Sequence, residues 1–238
     1  MRVLLKTCLI GLGAIAIAII VGFAWLLFDS RGLPGPQALA QFAPASIMHV
    51  SDPCLKTASV AIPYGSIGTN LRSALGAVEA SEDDPGVLTE TYRGFTHSGG
   101  LHRATLSWHI SRTMFCGPSK ALNRQLDELR AAAQLERRFS RRELFTIFAN
   151  RLEFGEDMVG VEPGSQHFFH KEPSQLLIGE AALLAGLAKA PSYFSPIKHP
   201  DRALQRRNEV IDAMAKTHAI SEDEASTAKA SALPIMTR

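Results

Sequence analysis

The chain has 238 residues, 46% of them apolar, and a net charge of +2, which suits one globular domain with a small appendage. Two tryptophans and no long basic run leave no footprint for a nucleic-acid partner. No internal repeat and no low-complexity tract is present, which excludes solenoids and fibrous arrays.

Arg2 and Lys6 precede residues 7–28, "TCLIGLGAIAIAIIVGFAWLLF", a run of 22 residues without a charge. At 1.5 Å per residue such a helix matches a bilayer core of about 30 Å. A cleaved signal peptide competes, with "ALA" at 38–40 as its cleavage site. Signal cores are only about 7–15 residues long, and that site lies well beyond the run, so the anchor is the stronger reading. Positive charge before the run and cancelling charge after it, at Asp29 and Arg31, put residues 1–6 in the cytoplasm and the remaining chain outside. Cys8 falls inside the run. Cys54 and Cys116 either pair in an oxidising space or stay as two separate buried thiols.

"DSRGLPGPQALAQFAPAS" (29–46) is rich in Pro and Gly and reads as part of a linker, 29–56, leading to a domain over 57–238. "TASVAIPYGSIG" (57–68) predicts one short strand or an extended segment. Beyond it the pattern is helical. Leu71, Ala74, Leu75 and Val78 recur at helical spacing and run into "AVEASEDDPG" (77–86). There Glu79, Glu82, Asp83 and Asp84 stop at Pro85-Gly86, as either a solvated helix end or a site of proton transfer. Thr105 to Phe115 fits another helix. From Lys120 to Arg138, Leu122, Leu126, Leu129, Ala133 and Leu135 approximate an apolar stripe. Ser140 with Glu143 forms a capping box ahead of Leu144, Phe145, Ile147 and Phe148. Residues 176–191 predict a buried helix stopped by Pro191, and Ser221 with Glu224 caps a last one. The exported domain is expected to be all-α.

Four stretches carry a family resemblance: "LERRFSRRELFTIFANRLEFG" (135–155), "GVEPGSQHFFHK" (160–171), "GEAALLAGLAKAPSYFSP" (179–196) and "PDRALQRRNEVIDAM" (200–214). In order and with matching spacing, they resemble the peptidoglycan glycosyltransferases of glycosyltransferase family 51. That family includes the monofunctional transglycosylases and the transglycosylase domain of penicillin-binding proteins. The resemblance runs from about Ile62 to the last helix and marks this chain as a divergent member. It implies a lysozyme-like all-α head with a smaller membrane-proximal jaw, here preceded by one transmembrane helix. The implied reaction polymerises lipid II: a sugar 4-hydroxyl attacks C1 of the growing glycan chain and undecaprenyl pyrophosphate leaves. The implied partners are lipid II, the glycan, the membrane and other cell-wall synthesis proteins. The implied place is the bacterial inner membrane, with the domain periplasmic.

Such a reaction needs a base near the hydroxyl and positive charge near the pyrophosphate. The family's first motif, A-x-x-A-x-E-D, aligns on "AVEASED" and gives Glu82 the base position, with Asp83 beside it in substrate binding. A shift of one helical turn gives that position to Glu79 instead. The second motif, G-G-S-T-I-T-Q-Q-x-x-K-N, aligns on "HRATLSWHISRT" (102–113). Thr105 and Ser107 match, the paired Gln are replaced by Trp108 and His109, and the Lys by Arg112. The resemblance places Thr105, Ser107, His109 and Arg112 in substrate binding. Arg for Lys keeps the charge and can hold phosphate bidentately. The third motif, R-K-x-x-E, appears as "RQLDE". It gives Glu128 a catalytic place on the pyrophosphate side, acting directly or through a divalent cation (Mg or Mn) in a reaction that requires no cofactor. Arg124 goes with it as a phosphate ligand. Without the family, Arg124 and Glu128 are an i, i+4 ion pair. Asn150 matches the fourth motif and joins the substrate-binding set, though a polar residue between Phe148 and Leu152 on an inward-packed helix ordinarily fixes backbone. Two alternatives stay open: a degenerate homologue that binds lipid II or a cell-wall partner without turnover, and a lysozyme-like hydrolase.

Overall fold

The structure is a computed structural model that describes residues 35–51, 59–78, 105–115, 121–155 and 158–232, with isolated positions at 13, 17, 18, 21, 22, 24, 25, 54, 86 and 89. Most of the expected anchor, and Glu79, Glu82 and Asp83, lie outside the described residues. Those positions of the anchor run that are described, from Gly13 to Trp25, are helical. Among the described residues no helix is long and apolar enough to cross a membrane.

Eight α-helices make up most of the described chain: α1 (Thr69–Val78), α2 (Leu106–Arg112), α3 (Ala121–Arg138), α4 (Arg141–Arg151), α5 (Val161–Phe169), α6 (Ile178–Ala188), α7 (Pro200–Lys216) and α8 (Glu222–Ala230). The only sheet among the described residues pairs β1 (Met48–Val50) with β2 (Ser59–Ala61), antiparallel, with His49 opposite Val60. The all-α expectation is therefore met apart from this small hairpin.

α6 sits at the centre of one half. It is apolar on every side, and Ala181 to Leu187 are buried throughout, as a helix surrounded by protein must be. α1 and α7 pack against it and each other, and α8 closes over α6 and α7. Gly186 permits the close approach, since a Cβ there would stand 2.9 Å from Cγ of Arg206 on α7. Arg207 on α7 is fully buried, yet its guanidinium donates to the carbonyls of Lys229 (2.9 Å) and Ser231 (2.8 Å) at the end of α8. A buried cation is tolerable when its donors are satisfied in this way.

The other half is built from α2, α3 and α4, which pack on one another. α4 begins at the expected capping box: Ser140 Oγ accepts from Glu143 N, and the Glu143 carboxylate accepts from Ser140 N at 2.8 Å. Its apolar residues Leu144, Phe145, Ile147 and Phe148 are buried as expected. The stripe on α3 is shorter than its sequence pattern. Leu129, Ala133 and Leu135 are buried, but Leu126 is 41% exposed because the helix leaves the core toward its N-terminus.

Two segments differ from the reading of 29–56 as linker. Pro36–Phe42 is a 3-10 turn with Leu39 and Phe42 buried in the main core, and Met48–Val50 is a strand. The prolines and glycines around them masked two apolar anchors. The segment 57–68 divides into β2 and a 3-10 turn at Tyr64–Ile67. Gly68 follows at φ +79°, where a Cβ would lie 2.6 Å from Cα of Ser174 in the 3-10 turn Pro173–Gln175, so only glycine lets the 64–67 and 173–175 turns touch.

Candidate active site

α2 is short and its orientation is set at its N-terminus. Thr105 Oγ1 accepts from Trp108 N and exchanges a 2.9 Å hydrogen bond with Ser107 Oγ. Ser107 in turn donates to Oε1 of Glu136 on α3 at 2.5 Å. Trp108 packs against Leu129 and Ala133 of α3. These contacts press one face of α2 onto α3 and turn His109 and Arg112 the other way.

They turn into a cleft of about 380 Å³ lined by His109, Arg112 and Thr113 from α2, Arg124 from α3, and Phe148, Arg151 and Glu153 from α4 and the residues after it. The imidazole of His109 meets the ring of Phe148 edge-on, with centroids 5.5 Å apart. Arg112 is exposed at the rim. Arg124 Nε donates to Glu128 Oε1 at 2.9 Å, and Glu128 is only 7% exposed. The i, i+4 pair expected from sequence is thus present, with its acid buried and its base turned to the cleft.

Arg151 is the cation that sequence reasoning missed. Its side chain is buried against the ring of Phe42, 4.8 Å from the centroid, while Nε and Nη2 donate to Thr113 Oγ1 (2.9 Å) and Thr113 O (2.8 Å). An arginine in the last turn of a helix reads in sequence as a dipole complement. Only the docked 36–42 turn, hidden in the apparent linker, reveals its inward position. Glu136 was missed likewise, being one acid among many on an amphipathic helix.

The predicted site residues therefore fall into three groups. His109, Arg112 and Arg124 meet at the cleft, with Glu128 braced behind Arg124. Thr105 and Ser107 are buried and used within the protein, holding α2 to itself and to α3. Asn150 is completely buried: its Nδ2 donates to the carbonyls of Phe42 (2.8 Å) and Ile62 (2.9 Å), and its Oδ1 accepts from Ile62 N at 3.1 Å. Its amide fastens backbone rather than facing the cleft, which corrects its place in the substrate-binding set. Glu79, Glu82 and Asp83 cannot be placed with the others, since they lie outside the described residues. Gly86, just beyond them at φ +90°, is described. A Cβ on it would stand 2.9 Å from Oε2 of Glu136 and 3.4 Å from Nη2 of Arg141. Gly86 thus lies beside the carboxylate that receives Ser107.

Chemically, the cleft suits an anion with several oxygens. Among the described residues three guanidinium groups and an imidazole line it, Arg151 from a buried position, together with the carboxylate of Glu153. Guanidinium forks match phosphate geometry, and partial enclosure strengthens each contact relative to water. Among the described residues no three carboxylate, imidazole or thiolate groups converge as a metal site.

Residues 62–215 match the family model described as transglycosylase. The chain is 30% identical to penicillin-binding protein 1A of Aquifex aeolicus (strain VF5), over 92% of this chain and 32% of that protein. It is 32% identical to penicillin-binding protein 1F of Bacillus subtilis (strain 168), over 71% of this chain and 25% of that one. A protein of Cupriavidus necator (strain H16) that bears the name transglycosylase, H16_A0665, is 27% identical over 84% of both chains. The chain spans a third or less of the two penicillin-binding relatives.

Proposed function

The chain belongs to the transglycosylase family over residues 62–215, and from that premise we propose that it is a membrane-anchored peptidoglycan glycosyltransferase. It polymerises lipid II into glycan strands at the outer face of the bacterial inner membrane, held there by residues 7–28. Its helical domain takes the lysozyme-like form, with a smaller jaw toward the bilayer. The observation that carries the proposal is the cleft in which Arg112 and Arg124 meet with His109, and in which Arg124 is braced by Glu128.

In this reading the pyrophosphate of the growing chain's lipid lies in the cleft. The 4-hydroxyl of lipid II attacks C1 of the donor sugar, forming the new C–O bond as the C1–O bond to phosphate breaks. Glu82, or Glu79 one turn earlier, takes the hydroxyl proton. Arg112 and Arg124 meet the charge that builds on the departing pyrophosphate, where preorganised donors are worth most. Glu128 keeps the Arg124 guanidinium aimed at that charge. No cofactor is required. A divalent cation, Mg or Mn, would be held on the Glu128 side of the cleft and would supply further charge neutralisation to the pyrophosphate.

A second reading has one observation in its favour. Trp108 stands where the family pattern has an amide, and its ring packs on Leu129 and Ala133 of α3. A homologue so altered would bind lipid II, or a cell-wall assembly partner, without turning it over. Purified full-length protein given labelled lipid II and a divalent cation distinguishes the readings: glycan polymer supports the polymerase, and binding without product supports the degenerate homologue.

A further inference from the structure

His109 stands among fixed cations, and it is the one group in that set whose charge changes between pH 5 and 8. Arg112 lies one turn along the same helix, Arg124 comes from α3 and Arg151 from the end of α4, and all line the same cleft. Among the described residues the acids on the packed elements are Asp127, Glu128 and Glu136 on α3, with Glu128 bonded to Arg124 and Glu136 to Ser107, Glu143 in the cap of α4, and Glu153, which lines the cleft. The His109 ring meets the ring of Phe148 edge-on, which favours one orientation of the imidazole.

We propose that His109 is a titrating anion ligand that makes pyrophosphate capture by this cleft pH-dependent. This rests on the reading of the cleft as the pyrophosphate site and deepens it. Neutral imidazole among three guanidinium groups adds at most one neutral hydrogen bond to the ligand. Protonated, it adds a fourth positive charge at contact range, and a charge-assisted bond is roughly twice as strong. The direction follows from linkage. A bound anion favours imidazolium and raises its pKa relative to the empty cleft, so the extra affinity is complete below the value in the empty cleft and is lost as pH rises through the value in the complex. A rise of one unit corresponds to about tenfold in affinity. With an amide at this position, as in the family's second motif, the cleft would lack that dependence.

The test is a binding titration of the full chain in detergent with inorganic pyrophosphate, at pH 5.5 and 7.5, for wild type, His109→Gln and His109→Arg. Ionisation of the pyrophosphate itself affects all three equally and cancels in the ratio between proteins. Wild type should gain about tenfold over His109→Gln at pH 5.5 and almost nothing at pH 7.5. His109→Arg should keep the gain at both values, which also shows that the position tolerates substitution. In the NMR spectrum the His109 ring should titrate at higher pH when pyrophosphate is bound. Equal pH profiles for wild type and His109→Gln would overturn the role of His109. If Arg112→Ala then still weakened binding, the cleft would stand as the anion site. Absence of pyrophosphate binding by wild type at either pH would overturn both.

Discussion

Arg124 reaches the cleft with its Nε committed to Glu128, and the two act as one group. An exposed pair of this spacing is worth only a few tenths of a kcal/mol, about 0.2–0.5, so its value here lies in aim rather than stability. Glu128→Gln should therefore leave the fold intact and lower polymerisation, whereas Arg112→Ala should weaken lipid II binding in a titration. Unchanged affinity in Arg112→Ala would remove that residue from the site. Asn150 behaves oppositely. Asn150→Ala leaves the Phe42 and Ile62 backbone groups without their buried partner, at a cost of about 2–4 kcal/mol in chemical denaturation. The sequence made the Arg124–Glu128 spacing and the buried character of Asn150 legible, because helical periodicity puts both in view. It could not show that Thr105 and Ser107 turn away from the cleft, since that depends on which face of α2 meets Glu136.

At the level of elements, the long helices were readable from apolar periodicity, and α4 and α8 also from their capping boxes. Those boxes carry a pH signature. Hydrogen bonds from the backbone and hydroxyl of Ser140 hold the Glu143 carboxyl below the usual range, and Ser221 does the same for Glu224. Carboxyls with depressed folded values contribute stability that is present above their unfolded pKa and is lost as pH falls through the folded one. The thermal unfolding midpoint should accordingly fall on the acid side, below about pH 4.5, and less so in Glu143→Gln. Ser140→Ala should cost about 0.5–2 kcal/mol at neutral pH. The 36–42 turn and β1 were not readable, because Leu39 and Phe42 are isolated among prolines and glycines. α5 was hidden by Pro163 and Gly164, although Pro in a first helical turn is compatible with the helix. Cys54 is disulfide-bonded, with Sγ 3.3 Å from Met114 O at the end of α2. Cys116, two residues further on, lies outside the described residues and is the expected partner. Non-reducing peptide mapping should recover Cys54 linked to Cys116, and two free thiols would refute the bridge.

For the whole molecule, the proposed lipid-linked substrate and the expected anchor at residues 7–28 belong together, since both would confine the reaction to one plane. A reporter fused after Arg238 should be active only outside the cytoplasm, and activity of a cytoplasm-only reporter there would reverse the topology. The family was legible from four blocks in register, while the degree of activity was not. Activity depends on where Glu82 sits relative to the cleft and on what Trp108 and His109 do in place of two amides. The most direct measurement is polymerisation of labelled lipid II by the purified full chain, wild type beside Glu82→Gln and Glu79→Gln. The account predicts glycan polymer from wild type, a rate lower by about 10²–10⁴ in Glu82→Gln, lipid II binding retained in that variant, and a much smaller loss in Glu79→Gln. Lipid II bound by wild type with no polymer formed would contradict it.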